Sequence, residues 1–270
     1  MSRSNARLTR TLGRPALAST ICGVIDGKTG AGEEIARLLV LDAHANVSAG
    51  ADELAVFTSA SETFASRNIN CTIAESLDRF VPVIRLARSH GIPVRGYVSC
   101  AVDCPYEGEI TPDAVAMVSS QLMDLGCHEI SVADTIGRGL PERVGVMLER
   151  VLHRVPASMV ACHFHDTSGR VRANVDVALD LGIATFDSSA GGLGGCPYAP
   201  GAAGNIGTGV ISCFDLHDKY AHNVYIHGHC YDFAKRVAVD NSEGSFNTID
   251  HDIRPRPWRA EPYGTIREYF

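Results

Sequence analysis

The sequence predicts an α/β protein of the (β/α)8 TIM-barrel type, either incomplete or with atypical first strands. Short apolar runs typical of strands alternate with amphipathic helices at spacings of roughly 25 to 40 residues, which implies parallel strands joined by crossover helices. A doubly wound sheet is the alternative, but its glycine-rich first βα turn is absent here. Polar residues follow the strands, and in a barrel the carboxyl ends of the strands form the active-site face. The residues at these ends are Ser99, Asp134, His163, His165 and Ser188.

The elements follow from local signals along the chain. Thr72 and Glu75 form a capping box that opens one helix, and Thr111 with Pro112 opens the next. Further helices are predicted at 33–43, from Pro141 to about 155, and at 169–181. The stretch 223–233 is a candidate for an additional strand, and the proline-rich end after it is typical of irregular structure. The predicted strands are 21–26, 53–60, 93–102, 129–135, 159–166 and 185–190.

Composition excludes several classes of protein. A net charge of −7 over 270 residues argues against nucleic-acid binding, which needs a concentrated positive field. No apolar run is long enough to span a membrane, and nine cysteines are too few for a disulfide scaffold of this size.

Three segments differ in character. Residues 1–20 are basic, and we interpret them either as a mitochondrial presequence or as a basic end without a targeting role. Residues 21–208 carry the barrel pattern, and residues 209–270 form an atypical extension.

His163 and His165 are candidate metal ligands. Side chains at positions i and i+2 of a strand project to the same side, so both imidazoles would face one point. The alternative is that they are ordinary residues at the rim of the strand. Asn205 adds a neutral oxygen of the kind that hard divalent cations accept.

A glycine-rich loop carries the thiol of Cys196. Six glycines stand between residues 187 and 205, and a loop so costly to order is typical of an active-site lid. The alternative is a surface loop with an incidental cysteine. Asp134 is either a catalytic carboxylate or the cap of the following helix. Asn68, Thr72 and Tyr97 are weaker candidates, because each has an ordinary structural use.

Residues 49 to about 208 resemble the hydroxymethylglutaryl-CoA lyases of the metal-dependent TIM-barrel lyase and synthase superfamily. Related synthases share the HxH strand but not the GCPY loop. The matching motifs are NINC at 68–71, RGYVSC at 95–100, CPYEG at 104–108, DTIG at 134–137, HFHDT at 163–167 and GLGGCPY at 192–198.

The resemblance implies cleavage of 3-hydroxy-3-methylglutaryl-CoA to acetyl-CoA and acetoacetate, with Mg²⁺ or Mn²⁺ as cofactor. It also implies an acyl-CoA substrate and a homodimer. Composition argues against a nucleic-acid or membrane partner, and the sequence leaves open whether the location is the mitochondrial matrix or the bacterial cytoplasm. The roles that it implies are metal ligation by His163, His165, Asn205 and Asp26, catalysis by Cys196, Asp134 and His163, and substrate binding by Asn68, Thr72 and Tyr97.

The sequence departs from the family pattern at its first strand. That strand ends in Arg-Asp-Gly in the family, whereas residues 1–48 contain no such motif and offer only Ile25-Asp26-Gly27. The glutamate expected on the second strand also has no evident counterpart. Three interpretations follow: an active lyase whose missing groups come from elsewhere, a catalytically defective homologue that binds acyl-CoA or metal, and a lyase core joined to unrelated ends.

Overall fold

The computed structural model describes residues 32–189, 192–196, 201–207, 225–227 and 266–267, and of 32–38 and the last two segments it describes only the backbone. Seven strands form one parallel sheet in which the spatial order follows the chain order. A small antiparallel pair, β3 (Asp103–Cys104) with β4 (Gly108–Glu109), stands apart from it. The strands of the sheet are β1 (Leu54–Ser59), β2 (Val94–Ser99), β5 (Glu129–Asp134), β6 (Val160–Phe164), β7 (Thr185–Asp187), β8 (Tyr225–His227) and β9 (Ile266–Arg267).

The helices follow the strands in the manner of a barrel. Apart from the short helix at 62–69, each helix packs against the next one along the chain: 32–49 with 73–89, 73–89 with 112–125, 112–125 with 141–152, and 141–152 with 171–180. The main sheet shows none of the reversal of strand order that defines a doubly wound sheet. The described pairings therefore favour the predicted barrel type over the alternative. The helices are α1 (Gly32–Ala49), α2 (Glu62–Ile69), α3 (Ile73–Ser89), α4 (Pro112–Leu125), α5 (Pro141–Leu152) and α6 (Val171–Asp180).

The predicted caps at Thr72 and Thr111 are confirmed. Thr72 accepts a hydrogen bond from the backbone N–H of Glu75, and the Glu75 carboxylate accepts one from the N–H of Thr72, which completes the capping box of α3. Thr111 caps α4, and Gly126 ends it with a φ of 108° that suits glycine. These local choices fix where the two helices begin.

Other elements differ from the prediction. Helix α2 was not expected; it begins at Ser61, whose hydroxyl accepts from the N–H of Phe64, and it is too short for its periodicity to be recognised. The pair β3–β4 and the strand β9 were also not expected, whereas β8 confirms the candidate strand within 223–233. The strands predicted at 93–102, 159–166 and 185–190 end earlier in the structure, at Ser99, Phe164 and Asp187.

The core lies between the sheet and its helices. Its largest buried apolar side chains belong to strands and to the helix faces above them, with Leu54, Leu122, Ile130, Leu148 and Phe164 among them. Within the described part of the chain, no helix is both long enough and apolar enough to cross a membrane. The predicted strand 21–26, the basic segment 1–20 and most of 209–270 lie outside the described residues.

Candidate metal centre

Alternate residues of the strands build a polar inner face. Gly96 faces helix α4, because a Cβ added there would lie 3.1 Å from Cδ1 of Leu122. Its neighbours Arg95 and Tyr97 therefore face the opposite side of the sheet, which we call the inner face. Strand register extends this face from β2 through β5 and β6 to β7. Its residues are Arg95, Tyr97, Ser99, Glu129, Ser131, Ala133, Ala161, His163, Thr185 and Asp187.

The two predicted histidines converge at the carboxyl end of β6. Nε2 of His165 lies 3.3 Å from Nε2 of His163. Nδ1 of His163 lies 2.9 Å from Oδ2 of Asp187, and Nδ1 of His165 lies 2.6 Å from the carbonyl oxygen of Ala203. Carboxylate and carbonyl oxygens only accept, so both Nδ1 atoms carry protons and donate. In the neutral rings both Nε2 atoms then present lone pairs to one point.

These donors fit a divalent cation. Two imidazole lone pairs that face each other at 3.3 Å cannot hydrogen-bond to one another, whereas a cation between them would satisfy both. Burial, followed by the charge of neighbouring His163, lowers the pKa of His165 to about 4, so this ring is neutral near pH 7. Within the described residues no three His, Cys, Asp or Glu side chains converge as a ligand set. Asp26 lies outside these residues.

Asn205 belongs to a short segment, 201–207, that lies beside the histidines. Its amide nitrogen is 3.1 Å from Nδ1 of His163, and its backbone pairs with His165 in an isolated antiparallel bridge. Ile206 donates its N–H to the carbonyl of Phe164. The structure therefore brings Asn205 to the predicted centre, against the Nδ1 edge of His163 rather than its Nε2 edge.

The glycine loop packs on this same segment. A Cβ on Gly204 would lie 2.3 Å from the carbonyl oxygen of Leu193, and one on Gly195 would lie 2.8 Å from that of Ala202. Such approaches are closed to any residue with a side chain, which explains why glycine stands at both positions. Cys196 at the end of this stretch is a free, half-buried thiol. The loop that carries it thus rests on the segment that contacts both histidines.

Asp134 lies at the end of β5, but its carboxylate is used locally. Continuing the alternation from Val132, it stands on the helix side of the sheet rather than on the inner face. Its oxygens accept hydrogen bonds from the backbone N–H groups of Arg138 and Gly139, at 3.2 and 2.8 Å. Burial raises the pKa of Asp134, against the lowering effect of these bonds. These contacts favour the interpretation that Asp134 caps the backbone that follows β5 over the interpretation that it is a catalytic carboxylate.

The three candidate substrate residues lie in different surroundings. Tyr97 is on the inner face, where its ring stacks on Phe57 and meets the edge of His163 at 5.9 Å between centroids. Thr72 is exposed, and its hydroxyl belongs to the capping box of α3. Asn68 is half-buried on α2. Only Tyr97 contacts a histidine of the centre.

Four residues around the centre, Asp187, Ser131, Arg95 and Glu129, were missed by sequence reasoning. Asp187 accepts from His163 and from the hydroxyl of Ser131, the latter at 3.0 Å. Arg95, fully buried, donates to the second oxygen of Asp187 at 2.7 Å and also pairs with Glu129 at 2.6 Å. The signal available in the sequence was strand alternation: charged residues at inner positions of otherwise apolar strands.

The parallel sheet in chain order and the two convergent imidazoles define a TIM-barrel protein with a candidate divalent-metal centre. The family model described as HMGL-like matches residues 26–228, and the chain therefore belongs to the HMGL-like family. This match extends beyond the motifs at both ends. HMG-CoA lyases, as a group, depend on a divalent metal.

Individual relatives agree with the family. A 3-hydroxy-3-methylglutaryl-CoA lyase of Danio rerio is 54% identical over 164 residues, which are 61% of this chain and 49% of the relative. The crystal structure of HMG-CoA lyase from Brucella melitensis is 48% identical with a TM-score of 0.66, and the match covers 76% of this chain and 70% of that one. An HMG-CoA lyase from Acinetobacter baumannii, in complex with coenzyme A and 3-methylmalate, is 30% identical with a TM-score of 0.65, covering 81% and 72%. The chain spans about half the length of the curated relatives it matches.

Proposed function

We propose that this chain is a divalent-metal-dependent carbon–carbon lyase that cleaves 3-hydroxy-3-methylglutaryl-CoA to acetyl-CoA and acetoacetate. The observation that carries the proposal is the pair of convergent Nε2 atoms of His163 and His165 beside the Cys196 loop. More than half of the residues are identical to a lyase of this name over 164 positions. The cation would be Mg²⁺ or Mn²⁺, held by His163, His165, Asn205 and, from outside the described residues, Asp26.

A cation held there would lower the pKa of the substrate's tertiary hydroxyl and polarise its carboxylate. Loss of the hydroxyl proton to a base lets the carbon–carbon bond break, and the electron pair leaves on the acetyl-CoA fragment as an enolate. The Cys196 thiol then donates its proton to the enolate carbon, a role suited to an acidic group on a loop that covers the site. His163 orients the reacting end of the substrate.

The acyl-CoA approaches along the carboxyl ends of β1 and β2, where Asn68, Thr72 and Tyr97 are the candidate contacts. The complex of the Acinetobacter baumannii relative with coenzyme A supports an acyl-CoA ligand. We also propose a homodimer located in the mitochondrial matrix or the bacterial cytoplasm. Relatives described as mitochondrial come from Arabidopsis thaliana and Bos taurus, a cytoplasmic form from Danio rerio, and a bacterial enzyme from Pseudomonas mevalonii.

A second candidate function is that of a catalytically defective homologue that binds acyl-CoA or metal. The observation that favours it is the absence of Arg-Asp-Gly from residues 1–48, since the family uses that arginine to stabilise the enolate. Loss of one such preorganised group commonly costs about 3 to 4 kcal/mol of transition-state stabilisation.

One assay separates the two functions. Acetoacetate release from 3-hydroxy-3-methylglutaryl-CoA is measured with Mg²⁺, with Mn²⁺ and with EDTA, for the full chain and for His163→Ala and Cys196→Ala. Metal-dependent release that both substitutions abolish supports the lyase. Acyl-CoA binding without release, by a chain that circular dichroism shows to be folded, supports the defective homologue.

A further inference from the structure

The carboxylate of Asp187 is held from three sides on the inner face. Its Oδ1 accepts from Nη1 of Arg95 at 2.7 Å, and its Oδ2 accepts from the Ser131 hydroxyl at 3.0 Å and from Nδ1 of His163 at 2.9 Å. Asp187 itself is only 6% exposed. A buried carboxylate with a guanidinium on one oxygen and a hydroxyl on the other has little freedom to rotate.

The supporting guanidinium is itself fixed. Arg95 is fully buried, donates to the Tyr97 hydroxyl at 2.6 Å and pairs through Nε with Glu129 at 2.6 Å. The Arg95 guanidinium is therefore held by Tyr97 of β2, whose ring stacks on Phe57, and by Glu129 of β5. The order of contacts therefore runs from Arg95 through Asp187 to His163.

We propose that Asp187, clamped by Arg95 and Ser131, is a positioning residue that keeps the proton of His163 on Nδ1 and its Nε2 lone pair toward the metal centre. Partners of this kind behind a ligating histidine commonly change metal affinity by about 10- to 100-fold when removed. The inference deepens the proposed function and rests on it for the identity of the cation. The proton on Nδ1 follows from the Asp187 contact, because a carboxylate only accepts, and it requires that the Asn205 amide nitrogen, 3.1 Å from the same Nδ1, does not donate to it.

Asp187→Asn is the sharpest perturbation, because Arg95 can only donate. The guanidinium would draw the amide oxygen of the new side chain to itself and turn the amide NH₂ toward His163. Nδ1 of His163 must then accept, which moves the ring proton to Nε2 and removes the lone pair from the metal centre. Charge is lost but shape is almost unchanged.

The test uses two readouts that do not depend on activity. Mn²⁺ affinity of the full chain is measured by electron paramagnetic resonance of free Mn²⁺, and we expect Asp187→Asn to weaken it by about 10- to 100-fold. The proton position is read by ¹⁵N NMR of histidine-labelled, metal-free protein, with the His163 signals assigned by their loss in His163→Ala. We expect a protonated Nδ1 in the natural chain and a protonated Nε2 in Asp187→Asn.

Glu53→Gln is the matched control. Nε2 of His128 lies 3.0 Å from Oε1 of Glu53, so this change also converts a carboxylate beside a histidine to an amide, at the amino end of the strands. We expect the Mn²⁺ affinity of this variant to equal that of the natural chain. An equal loss in both variants would assign the effect to general charge or stability and would overturn the proposal.

The outcomes keep the inference and the proposed function apart. A natural chain that binds no Mn²⁺ but shows the protonated Nδ1 contradicts the metal-dependent lyase and retains the positioning role. An unchanged affinity and proton position in a folded Asp187→Asn variant overturns the positioning role and leaves the lyase untouched. Should Asp187→Asn fail to fold, Ser131→Ala removes one support only, and an Mn²⁺ affinity equal to that of the natural chain would overturn the proposal.

Discussion

Replacement of Arg95 by methionine should destabilise the fold more than any other single loss of charge on the inner face. The arginine side chain is fully buried and its two partners, Glu129 and Asp187, have side chains only 13% and 8% exposed. Methionine approximates the aliphatic stem of arginine, so little packing is lost. One buried carboxylate, Asp187, and one largely buried carboxylate, Glu129, are however left without their cation.

The size of the effect follows from that burial. Removing one partner of a buried ion pair costs about 3 to 5 kcal/mol, because the remaining charge keeps its desolvation penalty without compensation. With a urea m-value of about 3 kcal/mol/M, the midpoint of unfolding should fall by about 1 to 1.7 M. Urea titration followed by circular dichroism measures this shift directly.

Arg150→Met provides the comparison at the surface. Arg150 pairs with Asp113, and their side chains are 47% and 71% exposed, so the loss should stay below about 1 kcal/mol. Similar midpoints for the two variants would refute the reasoning, since they would mean that the Arg95 network contributes no more than a solvated ion pair.

Three further predictions concern the cap of α3, one buried thiol and one histidine. Thr72→Ala should lower the unfolding free energy by about 1 kcal/mol through loss of the capping box, measured by urea titration; an unchanged stability would contradict the capping role. Burial raises the pKa of Cys127 to about 12, so iodoacetamide at pH 8 should label half-buried Cys196 and spare Cys127, as mapped by mass spectrometry. Burial alone would lower the pKa of His128, but its hydrogen bonds to Glu53 and a backbone carbonyl raise it overall. The contribution of protonated His128 to folding stability is therefore complete below about pH 6 and is lost as pH rises through the folded-state pKa of His128. The difference in melting temperature between the natural chain and Glu53→Gln should accordingly shrink toward pH 8. A difference that stays constant with pH would exclude a contribution from the protonation of His128.

Much of the fold was accessible to sequence reasoning because its signals are local. The capping box at Thr72, the Thr-Pro start at 111–112 and the apolar runs of β1, β2, β5, β6 and β7 each require only a few neighbouring residues. Helix α2 and strand β9 were missed for the same reason. Eight and two residues, respectively, are too few for a periodic pattern, and tertiary contacts decide their conformation.

The candidate centre was accessible only in part. His163 and His165 are two apart on one strand, so their convergence follows from strand geometry alone. Asp187 lies 24 residues from His163 and Arg95 lies 92 from Asp187. Which of many polar residues meets the ring from the next strand depends on register, and no local pattern states it.

The buried Arg95 bears on the arginine that the family pattern places on the first strand. Its Nη1 reaches Asp187, one contact away from His163, yet its full burial keeps it from any substrate. Arg95 therefore holds the carboxylate that contacts His163, the proposed metal ligand, and we expect no role for it at the enolate. In the proposed lyase, metal binding and turnover would therefore rest on different groups of this chain. We expect Mn²⁺ affinity to depend on the contacts from Arg95 through Asp187 to His163, independently of the group that stabilises the enolate. These residues lie on β2, β7 and β6, and β5 pairs with both β2 and β6, so the strands that carry them form one continuous part of the sheet.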